Sequence, residues 1–272
     1  MAPRGSKNVL VQQFAGLTGA SHSVAQRYLQ THGGSLDRAL NAFFDESSAK
    51  GGDKEGADAL ASLFNRYIDP DEDAVTTDGA LAMFGDLGIA PDSVAVLVLS
   101  CVLEAPSLGR FHRAPYIEGW TKVLGSVQHS PDEVLAQQRA AVPALVAAFD
   151  RNDDFDGRPL YKRVYDYAFL FARAEGQKSL PLDVAYALWD MVLPHAPSFA
   201  RDGHPGPFSA AQYAHWKRFL TDVSGTKVIT RDTWTQFLEF THEEDAVRVH
   251  DFDAAWPSLI DDYVAWAREN TQ

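Results

Sequence analysis

The chain has 272 residues, of which 46% are apolar, and its formal net charge at neutral pH is −13. This length and apolar content suffice for a large buried core, in one large domain or in a large domain joined to a small one. The excess of acidic residues excludes a general nucleic-acid binder and indicates a basic protein as the partner.

Targeting signals and cysteine content indicate the cellular compartment and the kinds of site that the chain can form. No apolar stretch reaches the roughly 18 residues that a membrane span requires, and the N-terminus lacks the hydrophobic core of a signal peptide. We therefore expect a soluble, globular protein of the cytosol or nucleus that does not contact a membrane. The single cysteine, Cys101, excludes an intramolecular disulfide and a multi-cysteine zinc site, which fits a reducing compartment.

Residues 8–45 have the pattern of a small helical domain. Gly33-Gly34-Ser35 and Leu17-Thr18-Gly19 supply turns between three apolar clusters at helical spacing. The clusters are Val9, Leu10 and Phe14; Val24, Ala25, Tyr28 and Leu29; and Ala39, Leu40, Phe43 and Phe44. The pattern predicts a three-helix bundle, and its spacing, with Leu36-Asp37-Arg38-Ala39-Leu40, resembles a ubiquitin-associated (UBA) domain.

This resemblance implies a weak ubiquitin-binding surface. Its candidate residues are Leu17, Thr18, Gly19 and Phe44, with Leu17-Thr18-Gly19 in place of the usual Met-Gly-Phe-type loop. The alternative is a folded cap that binds no ligand.

Residues 46–58 are polar and rich in glycine, so we predict a flexible linker there. Residues 59–270 then show helical periodicity almost throughout, which predicts a large α-helical domain. Within it, the very apolar run from Val94 to Leu103 follows the polar pair Asp92-Ser93. Its composition alone also fits a buried strand, but the polar start and the helical neighbours favour a central buried helix.

Two acidic loops have part of a calcium-binding pattern. The first loop has Asp69, Asp71 and Asp73 at suitable spacing, but its twelfth position is Ala80 rather than a bidentate glutamate. The second contains Asn152, Asp154, Asp156 and Gly157, but has Arg163 at that position. We therefore predict metal-free, EF-hand-like loops in a protein without cofactors.

No pattern for covalent catalysis emerges. Cys101 lies in the apolar run Val98-Leu99-Ser100-Cys101-Val102-Leu103, where burial would raise the pKa of its thiol and hide it. The chain has no His-x-x-x-His pair and no glycine-rich phosphate-binding motif. The sequence thus favours a non-enzymatic protein with no catalytic residue and no metal ligand.

The stretch from Tyr161 to Leu193 is more apolar than one helical face requires. Leu182, Ala185 and Trp189 begin one helical stripe, yet Leu188 and Met191 outside that stripe are apolar as well. This surplus predicts a second buried contact, although a central core helix explains the pattern too.

Two amphipathic helices flank the corner Ala254-Ala255-Trp256-Pro257. Thr230 is a suitable N-cap for the first helix, and Asp232 falls in its first turn. The second helix begins around Pro257, and Asp261 points away from its apolar stripe. Residues 231–272 contain ten acidic and three basic side chains, a net charge of −7.

Asp-Thr-Trp, followed by acidic residues, Ala-Trp-Pro and Leu-Ile-Asp-Asp-Tyr-Val, resembles the C-terminal signature of the defective-in-cullin-neddylation family. The resemblance implies an all-α fold in which a three-helix UBA-like bundle is linked to a larger EF-hand-like, potentiating-neddylation domain. It also implies that Asp232, Ala255 and Asp261 bind the C-terminal domain of a cullin.

The same resemblance implies a second partner, the N-terminally acetylated neddylation conjugating enzyme. The positions matching the family's pocket for the acetylated methionine are Val96, Leu99, Ser100, Phe111, Phe171, Leu188 and Met191. The expected function is that of a scaffold-type co-ligase that binds both partners and promotes cullin neddylation. The alternatives are a ubiquitin-pathway adaptor that does not stimulate transfer and a calcium-responsive EF-hand protein.

Overall fold

The N-terminal part of the chain is a small helical bundle. The computed structural model describes residues 10–15, 22–174 and 176–270. Helix α1 (residues 10–15) is followed by α2 (His22–Thr31) and α3 (Leu36–Phe64). Their common core contains Phe14, Ala25, Tyr28, Leu29 and Ala39, and the rings of Phe14 and Tyr28 stack with centroids 5.8 Å apart. The predicted all-α class, with a small bundle preceding a larger helical domain, is confirmed.

The segment 46–58 differs from the expected flexible linker, because α3 continues through it without a break. Once a helix is nucleated, each further residue adds a hydrogen bond, and this gain offsets a cost of about 1 kcal/mol for each of Gly51 and Gly52. The last part of the segment packs on the large domain, since a Cβ on Gly56 would lie 2.7 Å from the Val127 Cβ. The domain boundaries remain predictions.

The first half of the large domain consists of two helix-loop-helix units. The hairpin of β1 (Ile68–Asp69) and β2 (Ala74–Val75) separates α3 from α4 (Thr77–Leu87). A loop separates α5 (Val94–Val102) from α6 (Arg113–Leu124). Val75 and Phe111 exchange two backbone hydrogen bonds of 3.0 Å, which join the two loops as in paired EF-hands. Helix α7 (Pro131–Asp150) packs against α3, α4, α5 and α6.

The second half repeats this design. The hairpin of β3 (Asp154–Phe155) and β4 (Arg158–Pro159) leads into α8 (Leu160–Ala172). Strand β5 (Ser179–Pro181) pairs antiparallel with β6 (Val228–Thr230), and Leu180 lies opposite Ile229. The remaining helices are α9 (Leu182–Val192), a 3₁₀ turn (Leu193–His195), α10 (Ala210–Arg218), a π turn (Phe219–Val223), α11 (Arg231–His242), α12 (Ala246–Val249) and α13 (Ser258–Asn270).

Helix α5 is the buried centre of the first half. Every residue from Val94 to Val102 is at most 9% exposed, and the Ser93 side chain caps the helix by accepting a hydrogen bond from the Ala95 amide. The predicted central buried helix is confirmed. Burial raises the pKa of the Cys101 thiol to about 12, so this side chain stays neutral near pH 7.

The acidic loops use their polar side chains within the protein. Asp154 accepts a hydrogen bond from the Gly157 amide and Asn152 accepts one from the Tyr161 amide. Lys122 lies 2.9 Å from Asp156, and this hydrogen bond lowers the pKa of the Asp156 carboxyl group. A cation at Asp156 would have to compete with the ammonium group of Lys122. Within the described part of the chain, no group of three or more His, Cys, Asp and Glu side chains has the arrangement of a metal site.

We predict that calcium does not stabilise the protein. A cation that binds only the folded state stabilises it by about 2.7 kcal/mol at a concentration a hundred times its Kd, so a functional site would raise the melting temperature clearly. Melting curves recorded with millimolar calcium and with chelator should coincide. A rise in melting temperature with calcium that chelator reverses would contradict this prediction.

Candidate protein-docking sites

The acidic C-terminal site is built on the two helices that the sequence predicts. The Thr230 hydroxyl accepts a hydrogen bond of 3.1 Å from the Thr233 amide and so caps α11. Asp232 follows in the first turn and is exposed, where the helix dipole favours a negative charge. The apolar stripe is buried as predicted and contains Trp234, Phe237, Leu238 and Thr241.

The corner 254–257 leads into α13 with its small residue on the surface. Ala255 is exposed, whereas Trp256 is half-buried and lies over Phe240, with ring centroids 6.1 Å apart. Helix α13 begins at Ser258, and the Pro257 carbonyl accepts the first hydrogen bond from the Ile260 amide. Its buried face comprises Ile260, Tyr263, Val264 and Ala267.

Asp261 differs from a simple solvated surface charge. Its side chain is 28% exposed, and its Oδ1 lies 2.7 Å from Nε2 of His250, whose side chain is 1% exposed. A carboxylate only accepts hydrogen bonds, so Nε2 of His250 is the donor. The sequence does not point to His250, because a lone histidine in a loop gives no signal of which residue it faces.

Asp232 shares a surface groove with Asp262, which is not among the predicted docking residues. The groove has a volume of about 500 Å³ and separates β6 and the start of α11 from the start of α13. Its lining includes Thr230, Asp232, Pro257, Leu259 and Asp262. The two neighbouring aspartates of α13 therefore have different environments: Asp262 faces the groove, while Asp261 is paired with His250.

The residues predicted to hold the conjugating enzyme's N-terminus belong to the large core. Val96, Leu99 and Ser100 follow helical spacing on α5, Phe171 lies in the last turn of α8, and α8 packs against both α5 and α9. Phe111 lies in the loop before α6, edge-on to Phe84 at 5.9 Å. Six of the seven predicted side chains are at most 8% exposed, and Met191 is half-buried: Val96, Leu99, Ser100, Phe111, Phe171 and Leu188 form the buried set.

Ser100 is the one polar member of this set. Its hydroxyl oxygen is buried without a hydrogen-bond partner among the described residues. A buried hydroxyl that lacks a partner costs about 1–3 kcal/mol, so a ligand that supplied one would recover part of that cost. The same feature occurs elsewhere in the core, at the indole nitrogens of Trp120 and Trp216.

The ubiquitin-binding candidates of the N-terminal bundle are not tested. Leu17, Thr18 and Gly19 lie outside the described residues, and so does the side chain of Phe44.

Within the described ranges, no helix is both long and apolar enough to cross a membrane.

Comparison with known proteins identifies both domains. A family model described as "Cullin binding" matches residues 137–266, and one described as "UBA-like domain" matches residues 9–50. Defective in cullin neddylation protein 1 of Mycosarcoma maydis is 35% identical, covering 99% of this chain and 97% of the relative; the Cryptococcus neoformans protein of the same name is 29% identical, with the same two coverages. Human DCN1-like protein 3 is 31% identical over 89% of this chain and 70% of the relative. The chain therefore belongs to the defective-in-cullin-neddylation protein 1 family, as the motif around Ala255 predicts.

Proposed function

We propose that the chain is a scaffold-type co-ligase that promotes cullin neddylation by binding a cullin's C-terminal domain and the neddylation conjugating enzyme together. The acidic surface carries this proposal: exposed Asp232 and Ala255 and half-buried Asp261 lie in the region that matches the cullin-binding model. The net charge of −7 in residues 231–272 suits a basic partner. Such partners imply action in the cytosol or nucleus.

A scaffold of this kind accelerates transfer without a covalent step. Holding the charged enzyme beside the acceptor lysine raises its effective concentration and restricts its orientation. The chain's own thiol is unsuited to carry the modifier, because Cys101 is buried and the pKa of its thiol is raised to about 12. The protein would thus act through binding surfaces alone.

A ubiquitin-pathway adaptor is the second candidate, favoured by the UBA-like match over residues 9–50. The two functions differ in their effect on rate. In a reaction of purified cullin, conjugating enzyme, activating enzyme and modifier, a co-ligase should increase the initial rate of cullin modification several-fold. An adaptor would bind without changing that rate, and an unchanged rate would count against our proposal.

We predict that Asp232→Lys and Ala255→Arg each weaken cullin binding by at least about tenfold, through like-charge repulsion and through bulk respectively. Both side chains are exposed, so the melting temperature should change little. Calorimetric titration with the cullin C-terminal domain measures the effect. Asp261→Lys is a less clean test, since it would place an ammonium group against the buried His250.

Asp92→Lys is the matched control for this docking test. It makes the same change of charge at an exposed position just before α5, far in sequence from the acidic corner. It should bind cullin as the wild type does. Equal losses of cullin affinity for Asp92→Lys and Asp232→Lys would show that only net charge matters and would argue against a defined docking surface.

The packing of α8 against both α5 and α9 supports the second binding site, because it links the two helices that carry most of the predicted residues. Leu188 and Met191 lie on α9, where Met191 is half-buried and would form the mouth of a pocket whose floor is buried. The unpartnered hydroxyl of Ser100 could donate a hydrogen bond to the carbonyl of an acetyl group. A free ammonium group would instead have to lose its hydration there, so the pocket should select the neutral acetylated terminus.

We predict that a peptide from the conjugating enzyme's N-terminus binds more tightly when acetylated than when free, and that Met191→Lys removes this preference. Leu99→Arg is unsuitable for the purpose, because Leu99 is 1% exposed and a charge there would unfold the core. Fluorescence polarisation of the two peptide forms provides the measurement.

Leu170→Lys serves as the control, because Leu170 is adjacent to Phe171 on α8 but 40% exposed. It should leave the preference for the acetylated peptide intact. Equal binding of both peptide forms to the wild-type protein would favour a sealed core and a different docking position for the enzyme.

A further inference from the structure

A buried imidazole lies behind the acidic docking surface. The His250 side chain is 1% exposed, and its Nε2 is 2.7 Å from Oδ1 of Asp261. Burying a polar ring in an apolar setting is costly unless its nitrogen is hydrogen-bonded. The contact therefore holds both groups: the carboxylate satisfies the buried donor, and the donor fixes the carboxylate.

Aromatic rings restrict the position of this imidazole. Phe240, Phe252 and Trp256 surround it, with ring centroids at 6.2, 5.0 and 5.4 Å. Trp256 directly follows Ala255 in the chain, so the same imidazole packs against the neighbour of a second docking residue. His250 thus contacts Asp261 directly and supports the corner that presents Ala255.

The backbone of His250 and of the residues before it is held as well. Arg268 of α13 donates hydrogen bonds to the carbonyls of Val247, Arg248 and His250 at 2.9, 3.1 and 3.1 Å. Its guanidinium group also lies 5.0 Å from the centroid of the Phe252 ring. The side chain of Arg268 therefore ties the loop after α12 to the helix that carries Asp261.

We propose that His250 is a positioning residue of the docking surface: its Nε2–H orients the Asp261 carboxylate toward a basic side chain of the cullin. The inference rests on the proposed cullin-binding function. Asp261 makes no other side-chain hydrogen bond within the described part of the chain, so Oδ2 remains free for the partner. Orienting the carboxylate before binding removes the entropy cost of ordering it in the complex.

A double-mutant cycle tests this role, with cullin affinity measured by calorimetric titration. His250→Phe keeps a ring for the aromatic cluster but removes the donor, so it should weaken binding by about tenfold, the effect of a lost charge-assisted hydrogen bond. Asp261→Ala should weaken binding at least as much. The double variant should bind like Asp261→Ala alone, because the hydrogen bond that His250→Phe removes acts only through Asp261, while the phenyl ring keeps the packing against Trp256.

His250→Gln should restore the hydrogen bond to Asp261, since the glutamine amide nitrogen can donate at a reach similar to that of the histidine Nε2. The affinity of this variant for cullin should lie within about twofold of the wild-type value. The matched control is His215→Phe, which alters an imidazole stacked on Trp266 of the same helix at 4.5 Å and does not touch Asp261. This control should leave cullin affinity unchanged. If melting curves show that His250→Phe is unfolded, His250→Leu replaces it in the cycle.

The inference is overturned if folded His250→Phe binds as the wild type does, or if it weakens binding by the same factor in the Asp261→Ala background. It is also overturned if Asp261→Ala has no effect, since there would be no carboxylate to position. The proposed cullin-binding function fails only if Asp232→Lys and Ala255→Arg also bind normally, so the two failures are distinguishable.

Discussion

Tyr165 joins three helices through hydrogen bonds that are sealed from water. Its hydroxyl donates to the Trp234 carbonyl at 2.8 Å and accepts from the Trp189 indole nitrogen at 3.0 Å, while the Trp234 indole nitrogen donates to the Tyr165 carbonyl at 3.0 Å. The indoles of Trp189 and Trp234 stack with centroids 5.1 Å apart. Because a buried polar group without a partner costs about 1–3 kcal/mol, this arrangement allows few alternative packings of α8, α9 and α11.

The acidic surface depends on that arrangement. Trp234 and Phe237 fix one face of α11, and Trp216 stacks on Phe237 at 4.7 Å and meets Tyr263 of α13 edge-on at 5.0 Å. The continuous aromatic core therefore sets the spacing of α11 and α13, whose first turns carry Asp232 and Asp261. A docking surface on helices packed in this way holds its charges in place better than one on loops.

The EF-hand-like loops pair through backbone hydrogen bonds, and two of their aspartates lie beside basic side chains of the same chain. Val75 and Phe111 retain the short pairing between loops, and Leu180 pairs with Ile229 in the second half. Lys122 at Asp156, and Arg113 at 3.8 Å from Asp73, supply positive charge from the chain itself. The loops thus connect helices and serve the fold through backbone hydrogen bonds.

The sequence by itself determined the helical class, the cap at Thr230, the buried stripes of α11 and α13 and the buried helix α5, because these follow from local periodicity and capping chemistry. The family motif around Ala255 can also be recognised within one short stretch of sequence. Only the tertiary structure decided that α3 continues through residues 46–58 and that Asp262 shares the groove with Asp232. It alone paired Asp261 with His250, eleven residues away. Such pairings arise from the packing of α12 against α13, and periodicity within one helix carries no information about which side chain of another segment it will meet.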